Sequence, residues 1–282
     1  MAAAGHGAAG TPGGEPHGLS VRAAPKRGYP GHLSRDTLSL MDAPTLSASA
    51  CPHDTAKNLP TWIEFFLVLG QVSGLEIGYQ HAADFPEFYE RFREVDLVYA
   101  NPLDALRIED ERGFVPVAMP DNYDEVVFVA REGTQGGLET FEGKPVGAVE
   151  NQFATLLGCL LFGEAGVRSG EIRYYPSWGE VLAALRRGEI EHALLYKDFY
   201  DQLSELSLEG VRTVQVSQAR RFAHVVMLNP ERAELRPQLL EGLAKLPEHP
   251  LGQLILADLR IGRFTPFGST EPIRALSQLT VG

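Results

Sequence analysis

The sequence is poor in cysteine, the residue of disulfide frameworks and of many metal sites. Only Cys51 and Cys159 occur among the 282 residues. Their spacing is not that of a zinc site, and no neighbouring cysteine or histidine completes a ligand set. We therefore expect a reduced, intracellular protein with no metal site and no cofactor.

The chain also lacks long apolar runs and an excess of positive charge. Its longest apolar run, residues 62–72, is too short to span a membrane and is interrupted by Glu64, Gly70 and Gln71. The formal net charge is −12, although the first 40 residues carry more basic than acidic side chains. Because an acidic surface repels nucleic acid and anionic lipid, we expect no nucleic-acid partner and no insertion into a membrane.

Motifs of several common enzyme classes are missing as well. The chain has no Gly-x-Ser-x-Gly elbow, no Walker phosphate loop and no His-Glu-x-x-His zinc motif. Cys51 and His53 flank Pro52, which restricts the geometry that a nucleophile and its base would need. We therefore expect no catalytic residues and no enzyme activity.

The main positive signal is an alternation of short apolar runs with helical patterns of about ten residues, which is typical of an α/β protein with parallel sheets. Strands are predicted over residues 45–50, 75–79, 95–100, 114–119, 125–130, 145–149, 172–175, 192–196, 212–216 and 224–228. Helices are predicted over residues 61–73, 85–93, 102–108, 153–164 and 179–187, and further helices over 236–279. Residues 51–58 are expected to form a loop.

The first 40 residues differ in composition from the rest. They are rich in Gly, Ala, Pro and Ser and are predicted to form a disordered leader. The leader has no continuous apolar segment of the secretory type, so the sequence as it stands predicts a cytoplasmic protein. Met41 immediately precedes the first predicted strand, and a start misassigned at this point would leave a periplasmic or extracellular location open.

One stretch, residues 95–106, joins a buried strand to a well-formed helix start. Asn101 is a good N-cap, Pro102 suits the first helical position, and Asp104 places a carboxylate near the first-turn amides. Open α/β folds bind small ligands at this edge, where strands end and helices begin. Asn101 and Asp104 serve there either as helix caps alone or as ligand contacts.

The order of four segments resembles a known family. These segments are SACPHDTAKN at residues 49–58, VDLVYANPLDAL at 95–106, GKPVGAVEN at 143–151 and YPSWGEVLAALRRGEIEHALL at 175–195. The series is similar to the phosphate-, phosphite- and phosphonate-binding proteins of ABC transporters, the PhnD-like group. The resemblance covers about residues 44–280 and implies a two-lobed type 2 periplasmic-binding-protein fold with a ligand cleft between the lobes.

The resemblance also implies the organisation of the chain. Residues 44–130 and 223–282 would form lobe one, and residues 131–222 would form lobe two, with crossings near 130–132 and 220–223. A solute-binding protein of this kind captures a small polar or anionic ligand by hinge closure, either for an ABC permease or for ligand sensing. The sequence gives no indication of the oligomeric state.

Carried over by position, the ligand-binding candidates lie at strand ends and helix starts. They are His53, Asp54, Tyr99, Asn101, Gln152, Thr155, Ser177, Trp178, Tyr196 and Asp198. Phosphonate binders have a Ser-Thr-Ser-Gly run at the helix start of lobe two, whereas this chain has Asn-Gln-Phe-Ala-Thr over residues 151–155. Their His-Asp pair after the next strand is replaced here by Ser177 and Trp178. A less charged or partly aromatic ligand therefore fits at least as well as a phosphonate.

Two alternatives stay open at this point. Some cytoplasmic enzymes of menaquinone and thiamine-precursor synthesis use the same two-lobed fold, and His53 would be the candidate base in such an enzyme. A regulatory module that binds a partner protein on closure is the other alternative, although no residues indicate the surface involved.

Overall fold

The computed structural model describes residues 43–278, so the predicted leader over residues 1–40 lies outside the described part. The strands are β1 Thr45–Ala50, β2 Glu76–Tyr79, β3 Leu97–Ala100, β4 Val115–Pro120, β5 Val126–Arg131, β6 Val146–Val149, β7 Ile172–Tyr175, β8 His192–Tyr196, β9 Val211–Val216, β10 Val225–Leu228 and β11 Phe264–Pro266. The α-helices are α1 Pro52–Ser73, α2 Phe85–Arg91, α3 Pro102–Arg112, α4 Phe153–Glu164, α5 Trp178–Arg187, α6 Lys197–Tyr200, α7 Arg236–Lys245, α8 Pro250–Asp258 and α9 Glu271–Ser277.

The strands form two separate sheets, and each sheet with its helices makes one lobe. The six-stranded sheet of the first lobe has the order β11-β4-β10-β3-β1-β2, and the five-stranded sheet of the second lobe has the order β7-β6-β8-β5-β9. In the first lobe β1 pairs in parallel with β2 and β3, while in the second lobe β6 pairs in parallel with β7 and β8. The predicted two-lobed α/β fold is confirmed.

The strand β5 corrects the expected position of the first crossing between lobes. We expected residues up to 130 to belong to lobe one, but β5 pairs antiparallel with β8 and β9 of the second sheet. Its side chains from Val126 to Ala130 are all buried, which suits an interior strand rather than a segment that enters the crossing. The first crossing is therefore residues 121–125, which we had interpreted as a turn between two strands of one lobe.

Hydrogen bonds tie the two crossings to each other. The second crossing runs from the end of β9 to the start of β10, and it includes the expected residues 220–223. The backbone N–H of Asp124 donates to the carbonyl of Phe222 over 2.8 Å. The buried carboxylate of Glu125 accepts from the backbone N–H groups of Ala219 and Arg220 and from the hydroxyl of Ser217. The two crossings thus form a single bonded segment at the base of the cleft.

The first helix starts earlier than expected. Residues 51–58 were predicted to be a loop, but α1 begins at Pro52 and continues through a kink at Asn58, where φ is −151°. Proline suits the first helical position, and Asp54 places a carboxylate in the first turn. Pro60 accounts for the kink, because its ring displaces the backbone of the preceding turn and removes one hydrogen-bond donor.

The core of the first lobe lies between its sheet and α1, α7 and α8. A second apolar cluster includes residues of both lobes, and Phe153 of α4 packs against Phe222 of the second crossing with ring centroids 5.2 Å apart. Helix α9 contacts both α3 and α4, so the C-terminal segment also joins the lobes. Among residues 43–278 we find no helix with the length and apolarity needed to cross a membrane.

Gly70 gives a test of the packing between α1 and β2. An added Cβ would lie 2.8 Å from the carbonyl oxygen of Leu75, so Gly70→Ala should lower the free energy of unfolding by about 1–3 kcal/mol. Gly163→Ala in α4 is the matched control, because its Cβ would meet no atom within 4 Å. The control should be stabilised by about 0.4–1 kcal/mol. Urea denaturation checks both, and equal effects would contradict the close packing at Gly70.

Candidate ligand-binding site

Four helix starts converge on a cavity between the lobes, which we call the helix-start cavity. It has a volume of about 320 Å³. The starts of α1 and α3 reach it from the first lobe, and the starts of α4 and α5 reach it from the second. Its lining residues are Cys51, His53, Phe85, Tyr89, Asn101, Pro102, Leu103, Asp104, Asp124, Asn151, Gln152, Phe153, Ala154, Trp178, Tyr196 and His224. A ligand in this cavity would contact both lobes.

These helix starts differ in how their first amides are satisfied. Asn101 caps α3, because its side-chain oxygen accepts from the backbone N–H of Asp104 over 3.0 Å. The start of α4 has no side-chain cap, although Gln152 stands at the N-cap position. The start of α1 likewise has no side-chain cap at Cys51. The first amides of a helix have no partner four residues earlier within it. In α1, Pro52 has no N–H and the Asp54 N–H donates to the Cys51 carbonyl, so among the described residues only the His53 amide is a free donor. In α4 the amides of Phe153 and Ala154 are free donors, from the opposite lobe.

An aromatic wall covers much of the remaining cavity surface. It consists of Phe85 and Tyr89 from α2, Phe153 from α4, Trp178 from α5 and Tyr196 at the end of β8. Such rings offer flat apolar surface to the organic part of a ligand, while the polar edges of tyrosine and tryptophan can still form hydrogen bonds.

The floor of the cavity is a buried imidazole between two carboxylates. Nε2 of His224 lies 2.9 Å from Oδ2 of Asp54, and Nδ1 lies 3.2 Å from Oδ2 of Asp124. The His224 ring stacks on Tyr99 with centroids 5.1 Å apart and an interplanar angle of 19°. The hydroxyl of Tyr196 donates to Asp124 over 2.6 Å. His224 and Asp124 are both almost fully buried.

These groups set each other's protonation. Burial alone would lower the pKa of His224, but the charges of Asp54 and Asp124 outweigh burial and raise this pKa well above its ordinary value. Burial would raise the pKa of Asp54, but the His224 imidazolium outweighs burial and lowers it. Burial raises the pKa of the Cys51 thiol, although the nearby charge of His224 opposes this rise. The floor is therefore an imidazolium between two carboxylates, beside a neutral thiol.

A further acidic group, Asp104, lies in the wall of the helix-start cavity. Burial raises its pKa above the ordinary value, although the Asn101 side chain bonds to the carboxylate and opposes this shift. Burial also raises the pKa of Tyr196 well above its usual range, so its phenol stays protonated and can donate a hydrogen bond.

A larger cavity of about 650 Å³ opens on the other side of the floor, and we call it the hinge cavity. Asp124, Tyr196 and His224 line both cavities. At its edge Asp198 of α6 pairs with Lys57 of α1, and Asp198 Oδ2 also lies 3.3 Å from His53 Nε2. His53 is the largest of several influences that lower the pKa of Asp198. This group of three side chains, which we call the latch, connects the two lobes directly.

The structure brings half of the expected site residues to the helix-start cavity. His53, Asn101, Gln152, Trp178 and Tyr196 line it. The residues Asp54, Tyr99 and Asp198 line the hinge cavity instead, where Asp54 and Tyr99 hold His224 and Asp198 belongs to the latch. His53 faces Asp198 and Lys57 rather than Cys51.

Two expected contacts need correction. The hydroxyl of Thr155 is buried and donates to the carbonyl of Val149 over 2.7 Å, so it stabilises the turn before α4 and does not line the cavity. Ser177 is the N-cap of α5 and accepts from the backbone N–H of Glu180 over 3.2 Å. Both hydroxyls form hydrogen bonds with backbone groups only a few residues away, as serine and threonine side chains commonly do.

Sequence reasoning missed the residues that hold the floor together. His224 directly precedes β10, and Asp124 stands two residues before β5, so each lies in one crossing. A polar residue close to the start of a mainly apolar strand was the available signal, but it does not say which two such residues meet. Cys51 was not predicted to be a metal ligand or a nucleophile because no suitable partner was found close to it in the sequence. In the structure His224, which is distant in sequence, lies beside Cys51.

The comparisons with known proteins agree with the two-lobed fold. The family described as the phosphonate periplasmic substrate-binding protein of ABC transporters matches residues 49–270. The chain therefore belongs to this family, as its ordered segments predicted, and the family binds substrates rather than converting them. No curated protein matches the chain significantly. The family is periplasmic, so the expectation of a cytoplasmic protein is not supported.

Solved structures of the same fold come from several bacteria. PhnD1 from Prochlorococcus marinus, in complex with methylphosphonate, superposes with a TM-score of 0.63 at 14% identity over 83% of this chain and 97% of that one. A binding protein of a phosphonate transporter from Pseudomonas aeruginosa gives 0.60 at 15% identity over 84% and 86%. The aliphatic sulphonate-binding protein SsuA from Escherichia coli gives 0.61 at 12% identity over 85% and 91%. At these identities the likeness establishes the fold alone.

The floor predicts a bell-shaped stability difference between wild type and His224→Gln. The raised pKa of His224 contributes stability below about pH 6.5 that is lost as the pH rises through the folded value. The lowered pKa of Asp54 contributes stability above about pH 3.9 that is lost in acid. Both contributions are fully present between about pH 3.9 and pH 6.5, so the difference should be largest in that range. It should reach about 3–5 kcal/mol there, because the variant leaves buried carboxylates unpaired.

Urea denaturation across the pH range, in buffer containing EDTA, measures this difference. His81→Gln is the control, because His81 is exposed and does not belong to the floor. A difference that stays constant from acid to alkaline pH would contradict the ion triad.

Proposed function

We propose that the chain binds a small tetrahedral oxyanion, a phosphonate or a sulfonate with an organic substituent, in the helix-start cavity. The oxyanion binds at the free amides of α1 and α4, and the substituent lies against the aromatic wall. The observation that carries this proposal is the pair of helix starts without side-chain caps, one from each lobe, that line the same cavity.

The electrostatics favour amides over side chains as the anion site. No lysine or arginine is among the described residues that line the helix-start cavity, and Lys57 nearby is already paired with Asp198 at the latch. The imidazolium of His224 is likewise neutralised by Asp54 and Asp124. Free amides at a helix start carry partial positive charge and bind anions without a placed cation.

The shape of the cavity favours a small ligand with an apolar or aromatic substituent. A volume of about 320 Å³ is at the small end of ligand pockets. The aromatic wall supplies the flat surface that a short alkyl or phenyl group would contact. The missing hydroxyl run at residues 151–155 removes donors from the oxyanion site, so the substituent contributes more of the affinity than in a binder of bare phosphate.

A second candidate ligand is a phosphonate with an amino group. Asp104 lies in the wall and is bonded to Asn101 but to no basic side chain among the described residues. An ammonium group would pair with this carboxylate and return its pKa toward the ordinary value. Substituents with and without an amine therefore belong in the same screen.

Binding would close the lobes and complete the latch. Lys57 and His53 lie on α1 of the first lobe, and Asp198 lies on α6 of the second. A ligand bonded to amides of both lobes favours the closed arrangement, since it binds that arrangement better than the open one. The bonded crossings at residues 121–125 and 217–224 are the hinge of this motion. We propose that the protein acts outside the cytoplasm and delivers its ligand to an ABC permease.

A thermal-shift screen tests the ligand class. The full chain is heated with methylphosphonate, phenylphosphonate, 2-aminoethylphosphonate, methanesulfonate or inorganic phosphate, and a binder raises the melting temperature by mass action. We expect at least one organic phosphonate or sulfonate to stabilise the protein more than phosphate does. Stabilisation by none of these anions would overturn the proposal, and consumption of a stabilising ligand would favour the enzyme alternative.

Gln152→Asp tests the amide site, because it should change stability and affinity in opposite directions. Gln152 has the extended backbone of an N-cap, so an aspartate there caps α4 and raises the free energy of unfolding by about 0.5–2 kcal/mol. The same carboxylate occupies the free amides and repels the anion, so affinity should fall at least about tenfold.

Ser177→Asp is the matched control, since α5 already has a side-chain cap and the new carboxylate takes its place. Its affinity should stay within about twofold of wild type. Titration calorimetry and urea denaturation measure both variants. Unchanged affinity in Gln152→Asp would place the anion elsewhere.

A further inference from the structure

Three side chains at the cavity floor have the chemistry of a metal site. Sγ of Cys51, a carboxylate oxygen of Asp54 and a ring nitrogen of His224 all lie within 4.8 Å of one another. Within the described range 43–278, this is the one such grouping of cysteine, histidine and carboxylate side chains. Cys51 and His224 are buried and Asp54 is partly buried, so this is not a cluster of exposed surface groups.

The contact between His224 and Asp54 is close without being a hydrogen bond. Nε2 of His224 is 2.9 Å from Oδ2 of Asp54, yet both atoms are buried and lack a hydrogen-bond partner among the described residues. A buried polar atom of a native protein is usually paired, and an exception calls for an explanation. Once Nε2 has lost its proton, both atoms are available to bind a shared partner beside them.

The second ring nitrogen of His224, Nδ1, contacts a carboxylate, an arrangement that is common in metal sites. Nδ1 of His224 lies 3.2 Å from Asp124, whose other oxygen accepts from the Tyr196 hydroxyl. Metal-binding histidines commonly donate their second ring N–H to a carboxylate in this way, which fixes the ring and its tautomer. Asp124 thus leaves Nε2 as the coordinating nitrogen.

The thiol of Cys51 is also free to coordinate. Cys51 stands at the N-cap of α1, but its side chain forms no cap hydrogen bond. It is 1% exposed and belongs to no disulfide. Its backbone is fixed by a hydrogen bond from its N–H to the carbonyl of Tyr99 over 2.8 Å, the residue on which His224 stacks.

We propose that Cys51, Asp54 and His224 bind one Zn²⁺ ion at the floor of the cleft. A set of one sulfur, one oxygen and one nitrogen suits zinc, and three protein ligands leave its fourth position open. Cys51 lines the helix-start cavity, Asp54 lines the hinge cavity and His224 lines both, so the ion would lie between the two cavities. The thiol and Nε2 release their protons as the bonds to zinc form. The site does not depend on which ligand the protein carries.

The same residues fit a catalytic thiol less well. A cysteine nucleophile needs a free ring nitrogen of histidine as its base, but here Nε2 lies 2.9 Å from Asp54 and Nδ1 lies 3.2 Å from Asp124. Burial also keeps the thiol protonated by raising its pKa. A reactive Cys51 is therefore an outcome that the experiment must distinguish from zinc binding.

Cobalt and zinc titrations of the EDTA-treated full chain test the proposal. Co²⁺ should bind one equivalent and give a thiolate-to-cobalt charge-transfer band in the near ultraviolet, and Zn²⁺ should displace it. Cys51→Ser should abolish the band, and Asp54→Asn should weaken Co²⁺ affinity at least about tenfold. Cys159→Ser is the matched control and should keep both the band and the affinity, because Cys159 lies in α4, outside the cluster.

Two further measurements separate the outcomes. Zn²⁺ alone should raise the melting temperature of wild type and Cys159→Ser but not of Cys51→Ser, and it should protect Cys51 from alkylation. The absence of a charge-transfer band in folded wild type would overturn the proposal, as would a band that survives Cys51→Ser. Rapid alkylation of Cys51 that zinc does not slow would also overturn it and favour a reactive thiol. Each readout uses metal alone, so a failed ligand screen leaves this result independent.

Discussion

His224 lies between Asp54 and Asp124 at the point where both crossings meet the start of α1. Asp54 belongs to the first lobe, while Asp124 and His224 belong to the two crossings, so one imidazole joins three separate segments. An imidazolium in a buried site requires compensating charge, and removal of either carboxylate would leave it poorly paired. The positions of α1, of the hinge and of the Tyr99 ring all depend on this group.

The same interaction decides how the cleft can bind an anion. The carboxylates already neutralise His224, and Asp198 pairs with Lys57 of the latch. Among residues 43–278, a ligand anion therefore finds no unpaired side-chain cation at the floor. We propose that the free amides at the starts of α1 and α4 take that role. A zinc ion at Cys51, Asp54 and His224 would replace the protons of the thiol and of Nε2, so the net charge of the floor would not change. The proposed anion site and the proposed zinc site both lie at the cleft, where strands end and helices begin.

The fold was largely predictable because each element has a local signal, as in the alternation of strands and helices and in the Asn101 cap. β5 was assigned to the wrong lobe because an apolar run does not specify its sheet partner. The site was only half predictable for a related reason. Thr155 and Ser177 were expected to face the ligand, but nearby backbone groups satisfy them. His224 was missed because its partners, Asp54 and Asp124, are distant in sequence.

The central claim is that the ligand anion binds at free helix-start amides contributed by both lobes. The most direct measurement is the amide NMR spectrum of the full chain during titration with methylphosphonate. The backbone N–H signals of His53, Phe153 and Ala154 should show the largest downfield shifts, since strong hydrogen bonds to an anion deshield the amide proton. Shifts confined to the hinge-cavity residues Asn58, Gln218 and Arg260 would contradict the account.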